Sequence, residues 1–168
     1  RILPNSSMST VIPVPYGLGV ATVPNDPRTL VREYPAIPLS KTWFGDPYGG
    51  EAAYAWETTL VAEDTPSIPP DWFAACPLEI RNESPEILGF KRMILRVPHL
   101  SLFTVGSTLA TNGVTVRFRG QAQVSQVSIS KEPTGLEGEI ALIGGPRRPP
   151  EPALLRRSFH FIRSIYVG

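Results

Sequence analysis

The side chains best suited to covalent or acid–base chemistry in this 168-residue chain are few: Cys76, His99 and His160. A thiol nucleophile needs a neighbouring base, and the base needs a third group to orient it. Cys76 lies in AACPL, apolar on both flanks, a setting that raises a thiol's pKa and predicts a buried, inert residue. His99 follows Pro98 inside RNESPEILGFKRMILRVPHLSLF (Arg81–Phe103) and is expected to hydrogen-bond at the proline kink, as framework. His160 stands between Phe159 and Phe161, which disfavours its charged form and points to packing. A single cysteine excludes an internal disulfide, and three widely spaced residues make no metal-ligand pattern. No catalytic residue, metal or cofactor is therefore expected.

The carboxylates offer two close groupings, Glu63–Asp64 and Glu137/Glu139. A pair two residues apart on a strand shares a face, as glycosidase or calcium chemistry would require. Both groupings flank turns, where acids are ordinarily solvated. Gly17–Gly19 lacks the third glycine and the helix of a dinucleotide loop and reads as a turn.

Arginines carry the stronger signal. The halves Arg1–Ile80 and Arg81–Gly168 hold four and twelve basic residues against nine and six acidic ones, an asymmetry hidden by the net charge of +1. Arg117 and Arg119 alternate with Phe118, so a strand would present both guanidiniums on one face and the ring on the other. That arrangement separates stacking from phosphate neutralisation, and with a pI near 8.1 it argues against nucleic-acid binding. Arg117, Arg119, Arg147 and Arg148 are the expected binding residues. Their partner would be an acidic protein surface, a neighbouring domain of the same gene product, or the chain's own acidic first half. The plain alternative is that opposite charges simply meet within the fold. Homo-oligomerisation stays open.

These residues need a framework, and the pattern predicts a mainly β one. Val114, Val116 and Phe118 alternate with Thr115, Arg117 and Arg119, and Asn112–Gly113 just before them is a hairpin signal. Ile87–Val97 reads as a strand, 121–131 as another, and 139–144 as the last, while WFAACPLEI (Trp72–Ile80) re-enters the core. For Glu51–Asp64 the alternation of Tyr54, Trp56, Thr58 and Leu60 favours a strand over a helix. Eight of the 19 prolines fall in residues 1–50, which predicts an extended arm with short edge strands. Residues 144–152 read as a linker, and 153–168 as an amphipathic helix, with a strand as the alternative. The expectation is one domain over 1–168: arm 1–50, β core 51–143, linker 144–152, helix 153–168. The architecture would be an antiparallel β-sandwich or partly open barrel. No run reaches the roughly 18–20 apolar residues of a membrane span.

Arg81–Phe103 followed by GVTVRFRG (Gly113–Gly120) resembles uncharacterised prokaryotic β-rich domains of unknown function. The resemblance carries no catalytic signature and implies no activity. The reading is a soluble structural or protein-binding accessory domain without catalysis of its own. The alternative is a hydrolase or a carbohydrate-active or carbohydrate-binding β-sandwich, with Tyr54, Trp56 and Glu57 lining a cleft. One cysteine and no visible signal peptide favour the cytoplasm slightly.

Overall fold

Phe73–Leu78 is the longest uninterrupted run of buried residues among those described, and the molecule is built around the strand that contains it. The structure, a computed structural model, describes residues 1–22, 30–44, 47–48, 50–55, 72–90, 92–120 and 125–149. Its strands in chain order are β1 (Ser6–Pro15), β2 (Gly17–Ala21), β3 (Leu30–Pro35), β4 (Ser40–Phe44), β5 (Glu51–Ala55), β6 (Phe73–Asn82), β7 (Leu102–Val105), β8 (Thr108–Thr111), β9 (Val114–Phe118), β10 (Gln126–Ile129) and β11 (Ile140–Gly144). Seven of them form one curled, half-barrel sheet, and two separate hairpins, β2–β3 and β4–β5, stand beside it.

Strand β6 is central because both of its edges are used. β1 runs antiparallel along its whole length, from Ser6 opposite Asn82 to Pro15 opposite Phe73. On the other edge β8 and then β9 run parallel to it, Ala75 opposite Ala110 and Leu78 opposite Val114. The offset grows by one residue between those two pairs, so β8 and β9 are consecutive pieces of one line of chain with a bulge between them. There the sheet forks: β8 continues to β7 and β11, while β9 continues to β10.

This corrects the expected turn at Asn112–Gly113. Asn112 is 5% exposed, and its side chain bridges the two arms of the fork. Its amide nitrogen donates to the carbonyls of Ser130 (2.8 Å) and Lys131 (3.0 Å), and its oxygen accepts from the Ser101 N–H (2.6 Å). Gly113 is small because Thr134 packs where a Cβ would stand. The pair thus serves three backbone groups that diverging strands would leave unpaired. The chain continues in the same direction, which makes β6–β8 and β6–β9 parallel where antiparallel pairing was expected.

The prolines of the first fifty residues do not produce an arm. Val11, Pro13 and Pro15 are every second residue of β1, and they stand opposite Pro77, Ala75 and Phe73. Antiparallel pairs alternate between hydrogen-bonded and non-bonded kinds, so residues two apart share a kind, and a proline costs no ladder bond at the non-bonded one. Pro77 sits in a central strand on the same terms. Its nitrogen turns toward the fork, where the parallel register is interrupted.

Residues Ile87–Val97 are not a strand. Leu88 makes one bridge, with Ile2, and Lys91 aside the run to Arg96 has no ladder partner. A parallel connection from β6 to β8 must travel back along the sheet, and this segment does so over the inner face. Phe90, Met93, Ile94 and Leu95 cover Ile12, Cys76, Leu78, Ile80, Val114, Val116 and Phe118. Apolar content reported that the segment packs inward but not how: Met93, Ile94 and Leu95 pack on the core in succession, while Ile87 and Val97 are exposed. A short 3₁₀ turn at Val97–His99 ends it. The helix expected over 153–168 and the strand expected over 56–64 lie outside the described residues, whereas 51–55 is the strand β5.

Candidate functional site

Of the three groups raised first by the sequence, the two that are described are both buried and hydrogen-bonded. Cys76 is fully buried, and burial pushes its thiol up to about 11, with a hydrogen bond from the Thr111 side chain opposing. His99 is 7% exposed, and its Nδ1 faces the carbonyls of Arg148 and Pro149, each at 3.0 Å. Two acceptors require that nitrogen to carry the proton. With Arg148 N–H donating to the Pro98 carbonyl (2.9 Å), the ring ties the chain after β11 to the 3₁₀ turn. His160 lies outside the described residues, as do Glu63, Asp64, Trp56 and Glu57. Tyr54 is 67% exposed on β5, and Glu137 and Glu139 are exposed. Gly17–Gly19 is not a turn but the start of β2. A Cβ on Gly17 would stand 2.6 Å from the Tyr34 carbonyl oxygen, so glycine lets β3 approach.

The outer face of β1, β6 and β9 gathers the charge. Side chains alternate across a strand: Leu78, Ile80, Val114 and Val116 turn into the core, and Glu79, Arg81, Thr115 and Arg117 turn out. Register sets Glu79 opposite Thr115 and Arg81 opposite Arg117, with Ser9 and Ser7 on the β1 side. Glu79 takes Arg81 Nε at 2.9 Å and accepts the Thr115 hydroxyl at 3.3 Å. Glu83, just past β6, faces Arg119 Nε at 3.0 Å and Arg117 Nε at 3.9 Å. Three guanidiniums therefore share two carboxylates. The hydrogen bond and charge of Glu79 raise the Arg81 pKa, so it stays cationic.

Beside this ladder lies a trough of about 370 Å³, whose walls include Ser9, Val11, Pro77, Glu79, Thr115 and Thr134. Glu79 is the one carboxylate lining it, and Arg81 and Thr115 already engage it. Among the described residues no group of three or more His, Cys, Asp or Glu could hold a metal ion. No helix among them is long and apolar enough to cross a membrane.

Of the four arginines singled out in the sequence, Arg117 and Arg119 meet on Glu83. Arg147 pairs with Glu33 on β3, and Arg148 is engaged through its backbone. The unanticipated member is Arg81, detectable in LEIRN by its period-two spacing from Glu79. Arg81–Glu79, Arg96–Glu51 and Arg147–Glu33 each join the basic second half to the acidic first half, so part of the asymmetry is settled inside the fold.

A family model described as "Protein of unknown function (DUF432)" matches residues 1–163. The chain belongs to this family. Comparison with curated proteins and with solved structures gives no match. The DUF432 match takes in both hairpins, the forked sheet and the stretches Arg81–Phe103 and Gly113–Gly120.

Proposed function

We propose that this DUF432 chain is a non-catalytic accessory domain whose outer sheet face binds an acidic protein surface. The observation that supports the reading is the sharing of Glu79 and Glu83 among Arg81, Arg117 and Arg119. These side chains are 28–48% exposed, and ion pairs in such settings contribute only about 0–1 kcal/mol. Carboxylates on a partner can therefore replace Glu83 at little cost, and the uncompensated guanidinium draws them in. The pleat adds a second support. The arginines are carried by strands whose other face is core, so they are held on a rigid surface.

Fluorescence anisotropy with a labelled oligoglutamate peptide tests the proposal. Binding that weakens with added salt is expected, with at least a tenfold loss in the Arg117→Glu/Arg119→Glu variant. Equal binding by the wild-type and double-variant chains overturns it.

A further inference from the structure

Because it forks, the main sheet ends in three strands, β1, β10 and β11, and the first and last of these contrast. β1 closes one side with Pro13 and Pro15, whose missing donors fall on its outward edge by the pairing argument above, so that edge resists another strand. β11 closes the other side beyond β7 with no proline and no charge between Ile140 and Gly144. Among the described residues nothing pairs with its outer edge. Ile140, Leu142 and Ile143 are 38%, 63% and 54% exposed, although every second residue of a strand ordinarily reaches a core. A bulge between Leu142 and Gly144 interrupts the β7 register at Ile143, leaving that side chain beside Leu142.

The charges flanking β11 select what pairs with it. Glu137 and Glu139 precede the strand, and Arg147 and Arg148 follow it. Antiparallel pairing of this strand with itself about Leu142 sets the acidic end of each copy against the basic end of the other. Parallel pairing would set like against like. The Arg147–Glu33 pair does not prevent this, because both side chains are about half exposed and such pairs exchange readily.

We infer that β11 is a self-association edge, joining a second copy of this chain antiparallel about a two-fold axis and extending the sheet across both. Five residues from each copy bury less than the roughly 1,200–2,000 Å² of a standard stable interface. The dimer accordingly forms at micromolar concentrations rather than permanently. This surface is separate from the arginine ladder, and neither reading depends on the other.

Sedimentation of the full chain across concentrations tests the inference. A monomer–dimer equilibrium with half-association at tens of micromolar is expected. Leu142→Lys, at an exposed position, should weaken it by tenfold or more with an unchanged circular dichroism spectrum and melting temperature. Glu137→Lys/Glu139→Lys should weaken it similarly, and adding Arg147→Glu/Arg148→Glu should restore it. A chain that stays monomeric to about 1 mM overturns the assignment, whether another segment of the same chain covers β11 or nothing does. So does a dimer untouched by Leu142→Lys, or one that the charge variants neither weaken nor recover.

Discussion

The two faces of β6 and β9 are made from the same two stretches, of ten and five residues, and do opposite work. Inward, Leu78, Ile80, Val114 and Val116 are no more than 2% exposed and meet the crossing segment over the sheet. Outward, Glu79, Arg81, Thr115 and Arg117 remain partly open to water. Burying an aliphatic side chain contributes about 1.5–3 kcal/mol, whereas a surface ion pair contributes about 0–1 kcal/mol. Stability therefore resides on one face, and the other contributes little to it. A strand's period of two is what allows one residue stretch to serve both ends.

The sharpest way to break that contrast is Ile80→Ala, which should lower unfolding free energy by about 2–5 kcal/mol in a denaturant titration. Asn112→Ala comes next. Loss of its amide strands one backbone donor and two acceptors at the fork, and a cost of about 2–4 kcal/mol is expected. Asn112→Asp should not rescue it, because a carboxylate cannot donate to the Ser130 and Lys131 carbonyls.

Alkaline pH probes the inner face by another route. The folded thiol of Cys76 titrates at about 11 against an ordinary 9.0, so the fold favours its neutral form. Its contribution is complete below about pH 9 and is lost as pH rises through 11, by roughly 2–3 kcal/mol. Cys76→Ala should flatten that part of the stability–pH curve, and a thiol reagent should react with the wild-type chain only on unfolding. The smallest effect belongs to the outer face: Arg117→Glu/Arg119→Glu should cost under about 1 kcal/mol of stability in the same titration. A loss as large as that of Ile80→Ala would erase the distinction between the faces.

What the sequence disclosed follows from this physics. Val114–Phe118 and the inward run from Phe73 were legible because alternation and apolar content report burial directly; Ile140–Gly144 was legible as a strand although its side chains stay exposed. The burial of Cys76 and the hydrogen bonding of His99 were legible from their neighbours. Ile87–Val97 misled because a chain crossing a sheet buries side chains as a strand does, and backbone pairing leaves no residue signature. Asn112–Gly113 misled because an Asn amide satisfies stranded backbone groups as well as it starts a turn. The prolines rightly pointed to edge strands, of which β1 is one, but misled in suggesting an arm, because pair kind lets β1 pair along the whole of β6. A real turn went unread at Gly106–Ser107, where Gly106 adopts φ +57° between β7 and β8. Small residues between two short alternating runs were the available signal. Arg81 escaped notice because its place beside Arg117 depends on which strands are neighbours.

The central position of β6 also sets an order of assembly. Its partners are drawn from residues 6–15 on one side and 110–118 on the other, so during synthesis the earliest strand waits for the middle of the chain, and the middle waits again for a later stretch. Such distant closures slow folding, and until Phe118 has left the ribosome β6 has one bare flank.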